Sequence, residues 1–220
     1  MYGDLLDKYG VVQNSVWKFD KGLLICGSNL DLNNQKYIPL VDCVYTNPPR
    51  NDTWINIFYK SANLKPEISF ASFINQMFDL IKNKTETNST VYFDVGIKKT
   101  QTIIEEIEKK GWYSKDIFVT YYEKRPKPCY TIVGSFWETP IVPSNLDGAR
   151  RKEKNSLIIK DLIRAGHGKL FDPCCGSFDY LIEGLRDGMK MVYGIEIIPE
   201  KFALGLKRIE NMGYKVERIK

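Results

Sequence analysis

Three short stretches of this chain combine acids, prolines and small residues in ways that could handle a charged ligand and an amine. Lys169–Tyr180 reads KLFDPCCGSFDY: an apolar approach to Asp172, then Pro173, the pair Cys174 and Cys175, and Gly176 with Ser177. A helical pattern follows at once, with Leu181 and Leu185 on one face. This order predicts a buried strand, a tight turn and a helix N-terminus. Nucleotide-like ligands sit at such strand ends in doubly wound sheets. Asp172 could neutralise a cationic group there, and Gly176 would let the backbone come close. The helix N-terminal amides would favour a carboxylate. A ligand with one amine, one carboxylate and a nucleoside suits those features. Asp-Pro and Gly-Ser pairs also make ordinary turns, so the stretch alone is a weak sign.

The next unit sharpens it. Lys190–Ile197, KMVYGIEI, is an apolar run ending in Glu196, followed by Pro199 and a helix with Phe202, Leu206 and Ile209 facing inward. An acid at the end of a second strand, about 20 residues after the turn, is where a ribose diol is usually gripped. A plain buried βαβ unit is the alternative.

The third stretch is Asn47-Pro48-Pro49-Arg50, directly after the strand-like Val41–Thr46. Two prolines fix φ and remove two N–H donors, so the backbone there can present carbonyls without competition. With the Asn47 side-chain carbonyl they make a fixed pair of acceptors for an NH₂ group. An amine held so keeps its lone pair free for attack, and positioning then supplies much of the rate. The same corner reads equally well as a rigid strand-to-loop turn.

The elements that must carry these stretches follow from periodicity. Gly22–Cys26, Val41–Thr46 and Thr90–Val95 read as buried strands. Ile117–Tyr122 and Tyr130–Phe136, joined by EKRPKP, read as a long hairpin. Ile68–Lys82, Thr100–Lys110 and Asn155–Ala165 carry helical spacing. Gly27–Lys36, the stretch to Lys65, Lys82–Ser89 and Trp137–Arg151 read as connections, and Met1–Phe19 gives no clear element. Alternating strands and helices predict an α/β fold, a doubly wound, mostly parallel sheet covered on both faces, with one antiparallel edge from the hairpin.

Composition limits what the chain can be. With 220 residues there is enough chain for one substantial core, and 43% hydrophobic with 27% charged residues fits an ordinary globular domain. We expect one domain over 1–220, the half at 22–136 carrying the Asn-Pro-Pro corner and the half at 150–220 the two strands that end in Asp172 and Glu196. A formal charge of +5 is compatible with a polyanionic partner. Five cysteines, two of them adjacent, do not resemble a secreted disulfide framework, and a single histidine, His167, leaves little material for a metal centre or a Ser-His triad. No signal peptide or membrane-length apolar run is evident, so a cytoplasmic protein without a membrane partner is expected.

Together the three motifs resemble those of the S-adenosylmethionine-dependent amino methyltransferases of DNA. Those enzymes carry (D/N/S)PP(Y/F/W) as catalytic motif and DPFCGSG as cofactor motif. The order here, catalytic motif first, resembles their circularly permuted beta class. VDCVYTNPPR is similar to VDLVVTDPPY of that class, RRKEKNSLIIKDLI stands where it has HPTQKPVELLERLI, and GIEIIPEKFALGLKRIE is similar to its ribose motif and following helix. The match spans roughly residues 22–213.

The resemblance implies a Rossmann-like, permuted methyltransferase fold, with S-adenosyl-L-methionine as cofactor and DNA as partner. Asn47 and the Pro48 carbonyl would hold the exocyclic amine of a flipped adenine or cytosine, with Pro49 and Arg50 completing the motif. Asp172 would lie near the methionine amine end and the Gly176 turn near its carboxylate, with Phe171, Pro173, Cys174 and Ser177 completing the cofactor motif. Glu196 would bind the ribose, Ile197 would pack on the adenine, and Lys154 matches the lysine of the preceding helix. Transfer to RNA or to a protein glutamine, or a non-catalytic nucleic-acid-binding subunit, are the other functions this likeness admits.

Several positions depart from the family pattern. Arg50 replaces the aromatic residue of the catalytic motif. Phe178 stands where the cofactor loop has its second glycine, and Ser28 where an acid usually follows the strand GLLIC. Trp137–Arg151 is too short for the target recognition domain normally inserted there, so the chain would have little sequence specificity of its own or take it from a partner; the resemblance also admits a homodimer.

Overall fold

The computed structural model describes residues 3–65, 68–122, 125–135 and 151–220. In chain order the elements are α1 (Gly3–Tyr9), β1 (Ser15–Phe19), β2 (Gly22–Cys26), α2 (Leu32–Gln35), β3 (Val41–Thr46), α3 (Asp52–Ser61), α4 (Phe70–Lys84), β4 (Thr85–Val95) and α5 (Thr100–Lys109). They continue with β5 (Tyr113–Tyr122), β6 (Arg125–Ser135), α6 (Arg151–Arg164), β7 (Lys169–Asp172), α7 (Asp179–Asp187), β8 (Met191–Glu196), α8 (Pro199–Glu210) and β9 (Glu217–Arg218). The segment expected as a loop, 137–150, lies outside the described residues, as does the side chain of Lys154 in α6.

The strands form one sheet in the order β5-β6-β4-β3-β7-β8-β2-β1-β9. Its five central strands, β4, β3, β7, β8 and β2, run parallel. Each side ends in an antiparallel pair: β6 and β5 beyond β4, β1 and β9 beyond β2. The fold is thus mixed α/β as expected, with antiparallel strands at both edges rather than one. The second edge arises because Val16, Trp17 and Phe19 alternate into the two sides of the core, and the two residues Asp20 and Lys21 fold β1 back onto β2.

Burial explains the helix placement. One apolar layer joins α6, α7 and α8 to one sheet face through Ile158, Leu162, Leu181, Phe202 and Leu206. The other joins α4 and α5 to the opposite face through Phe73, Ile74, Met77, Phe78, Ile103 and Ile107. Central parallel strands buried on both faces read as near-continuous apolar runs, and β3 and β8 do.

The chain passes from β3 outward to β4, and later from β7 outward in the other direction to β8. The tips of β3 and β7 therefore flank a topological switch point, where a crevice opens beyond the carboxyl ends of the strands. β3 fixes the start of β7 as well, because the Asp42 carboxylate accepts from Gly168 N at 2.9 Å and Lys169 N at 2.8 Å.

Three connections prove to be structured, the first being Gly27–Lys36, which holds α2 behind its cap Asp31. The polar stretch at 82–89 is no break: α4 runs to Lys84, β4 starts at Thr85, and its pairing with β3 skips from Val41↔Thr85 to Cys43↔Thr90. The residues between bulge out, with Asn88 at φ 71°. The stretch before Lys65 holds α3, opened by Asn51, whose side chain accepts from Trp54 N.

Phe178 precedes α7 in the left-handed region, φ 70°, a conformation that favours glycine. Its ring is fully buried against Phe202, with centroids 5.3 Å apart, and against Gly205 of α8. A Cβ at Gly205 would lie 2.3 Å from the Phe178 ring. Overpacking of this kind costs about 1–3 kcal/mol. Urea denaturation should show Gly205→Ala destabilised by that amount, and an unchanged midpoint would mean the Phe178 ring is free to move aside.

Candidate active site

The crevice at the switch point is a cleft of about 540 Å³. Asn47 and Pro49 from the β3 tip line it together with Asp172, Cys174, Gly176 and Ser177 from the β7 tip and Glu196 from the β8 tip. Seven of the residues singled out in the sequence thus share one cavity. Pro48, Phe171 and Pro173 are buried and lie outside its lining. Phe171 instead packs in the apolar layer on the α4 side of the sheet. Ile197 is half-buried, and its carbonyl accepts from Gln13 Nε2 at 2.8 Å. Arg50 also lies outside the lining: its Cδ sits 3.9 Å from where a Cβ on Gly96, at the end of β4, would be.

The two tips are joined directly. Thr46 Oγ1 donates to Asp172 Oδ1 at 2.7 Å, and Cys174 N donates to the same oxygen at 3.0 Å. Burial pushes the Asp172 carboxyl up from its ordinary 3.8 to about 7, against the lowering effect of those two donors. Glu196 is also raised by burial. Its two oxygens accept from Gly176 N at 2.7 Å and Ile198 N at 2.8 Å. The Gly176 amide is therefore engaged by Glu196, and a ligand carboxylate beside this turn would need other donors. Gly176 has φ 56°, and a Cβ there would meet nothing within 4 Å, so the turn leaves open space at that point.

Other residues complete the walls. Arg208 ties the turn to α8, donating to Ser177 O and Asp179 Oδ1, each at 2.6 Å. Tyr180 lines the cleft, stacks on Tyr45 at 3.7 Å between centroids, and donates to Asp94 Oδ2 at 2.6 Å. Glu200, Lys201 and Leu204 of α8 and Phe58 of α3 close the far side. Lys201 Nζ stands 4.4 Å over the Phe58 ring. Phe58 escapes the sequence reading, in which 51–65 is only a connection. The Asn51-Asp52 start and the i,i+4 pair Trp54 and Phe58 are the signals that could have found it.

A cationic ligand with hydroxyls fits this lining. Asp172, Glu196, Glu200 and Asp179 face a single lysine, Lys201. Glu200 Oε2 is buried without a hydrogen-bond partner, so it offers an acceptor to a bound group.

The same architecture occurs in solved structures. M1.HpyAVI matches at TM-score 0.60 and 15% identity, over 84% of this chain and 97% of that one. The cytosine-N4-specific PvuII DNA methyltransferase matches at TM-score 0.64 and 14% identity, over 86% of each chain. A candidate DNA modification methylase from Thermus thermophilus matches at TM-score 0.62 and 14% identity, over 86% of this chain and 94% of that one. The chain shares their fold. M1.HpyAVI and the Thermus protein have also been solved as complexes with S-adenosylmethionine. No family model matches the sequence, and no curated protein does. No helix among the described residues is long and apolar enough to cross a membrane.

Two outcomes follow from the buried acid. The folded protein keeps the Asp172 proton up to about pH 7, whereas the unfolded chain releases it near 3.8, so stability falls as pH rises between those values. Asp172→Asn should flatten that slope in urea denaturation, leaving the share that the likewise raised Glu196 contributes, and should match wild type near pH 4 and exceed it at pH 8. Thr46→Val should do the reverse. It removes a donor to a buried carboxylate, costing about 1–3 kcal/mol, and the loss should be larger at pH 8 than at pH 5.

Proposed function

We propose that this protein transfers a methyl group from S-adenosylmethionine to the exocyclic amine of adenine or cytosine in DNA, with the base presented at the Asn47-Pro48-Pro49 corner. The observation that carries this reading is that Asn47 and Pro49 line the same cleft as Asp172 and Glu196, although more than 100 residues separate the two sets. The shared fold with the PvuII enzyme supports it, and the order of the tips along the chain favours the permuted beta arrangement.

Each residue then has a physical task. S-adenosylmethionine supplies an electrophilic methyl group on a sulfonium. Asp172 offsets the charge of the amine end. Its elevated pKa means that a cation must hold it ionised near neutrality, so affinity for that cation should tighten as pH rises through about 7. Glu196, pinned by two backbone donors, keeps lone pairs for the ribose diol. Glu200 Oε2 is a further acceptor on that side. Lys154, Ile197 and the Ser177 hydroxyl complete the set that we assign to the cofactor.

At the other tip, the Asn47 carboxamide oxygen and the Pro48 carbonyl accept from the amine N–H groups and turn the lone pair toward the donor. A paired, stacked base cannot reach this corner, so the substrate base is single-stranded or flipped. Nothing like a full recognition domain fits in the sequence between β6 and α6, so site choice falls to a partner or a second copy of the chain. Such an enzyme belongs in the cytoplasm with its DNA.

Tritiated S-adenosylmethionine incubated with single- and double-stranded DNA should label the DNA. Asn47→Ala should cut transfer by about 100-fold, the order of loss expected from misplacing a reacting group, while leaving cofactor affinity by calorimetry nearly unchanged. Asp172→Ala should weaken that affinity. Labelling of RNA or of protein glutamine in place of DNA would reassign the substrate. Tight cofactor binding without transfer to any of them would leave a binding subunit, not an enzyme.

A further inference from the structure

The cleft presents its amine-holding corner with no aromatic side chain at the fourth motif position, since Arg50 lies beside Gly96 and outside the lining. Aromatic surface is present in the helix that follows. Trp54 and Phe58 of α3 stand at i,i+4 spacing, the interval that stacks side chains along one face of a helix. Phe58 lines the cleft with Asn47 and Pro49. Its ring is held between the Lys201 ammonium, 4.4 Å from its centroid, and the Trp54 ring, 5.5 Å away and tilted 48°.

Trp54 itself is 45% exposed, although Trp17 and Trp112 are buried in the core. Ile55 is the one residue of α3 that is fully buried, with Tyr59 packed beside it against the same apolar layer, and the Trp54 indole packs on Phe58 just outside the cleft lining. A half-exposed indole braced from behind is a ready stacking surface for a planar base, and stacking of this kind is tolerant of base identity.

We propose that Trp54, braced by Phe58, is the surface on which the acceptor base stacks, taking the place of the aromatic residue missing from the Asn-Pro-Pro-Arg corner. This rests on the function proposed above and adds a positioning residue to it. The ligand is a nucleobase out of its stack, in single-stranded or locally opened DNA. Because the surface reads only a π-face, it holds adenine and cytosine alike, which accords with a chain that carries little recognition apparatus of its own.

The test has a binding arm and a turnover arm. In the first, a short single-stranded DNA should quench tryptophan fluorescence in the wild type, and most of that quench should vanish in Trp54→Phe. In the second, Trp54→Ala should lower kcat/KM for DNA by about 10-fold, within the range that loss of one base–aromatic stack gives, with cofactor affinity unchanged. Trp54→Phe should recover most of that loss, and Ile57→Ser, which alters an equally exposed apolar neighbour, should stay near wild type. Overturning results are Trp54→Ala within twofold of wild type, Ile57→Ser as damaged as Trp54→Ala, or a quench that survives in Trp54→Phe. An RNA oligomer that quenches more strongly than DNA would overturn the assignment to DNA. If the wild type labels no DNA, the proposed reaction fails; the quench in Trp54→Phe still decides for or against base stacking on Trp54.

Discussion

A single hydrogen bond, Thr46 Oγ1 to Asp172 Oδ1, joins the two ends of the chain's chemistry. Both residues are buried, and they lie 126 positions apart in sequence. The backbone pairing of β3 with β7 is short, running through Cys43↔Leu170 and Val44↔Phe171. Side chains extend it at both ends: Asp42 holds the first amides of β7, and Thr46 holds its terminal acid. If β7 slipped by one residue, Asp172 would point to the other face of the sheet. The register of this pair therefore decides whether the Asn47 corner and Asp172 can share a cavity.

The surrounding structure keeps that cavity charged and open. Burial works against ionisation of Asp172 and Glu196, and local amides work for it, so both acids are ready to respond to a cation. Phe178 bears on openness in an unexpected way. It takes a left-handed conformation and sends its ring under α8, into the space that Gly205 leaves, rather than into the cleft. The bulky residue in the loop is thus matched by the absence of a side chain in the facing helix, and the cleft side of the turn is left clear.

Much of this is legible in the sequence. The central strands are apolar on both faces, so GLLIC, VDCVYT, KLFD and MVYGIE stand out without any periodic test, and the acids that end two of them mark their tips. The helices α4, α5 and α8 carry strong apolar stripes. Other parts are less legible. α3 fully buries only Ile55, with Tyr59 packed beside it, and shows Phe58 to the cleft and Trp54 to water, so it reads as a connection. β1 draws its place from the edge of the sheet, and residues 86–89 form a bulge whose polarity imitates a loop. The destination of the Phe178 ring cannot be read from its own neighbourhood, because it depends on Gly205, 27 residues later.

The most direct test of the account is a crystal structure with S-adenosylmethionine bound. The account predicts the amine end of the ligand at Asp172, its ribose at Glu196, and its sulfonium methyl group directed at the space in front of the Asn47 carboxamide. A ligand seated elsewhere, or one whose methyl group points away from Asn47, would contradict it.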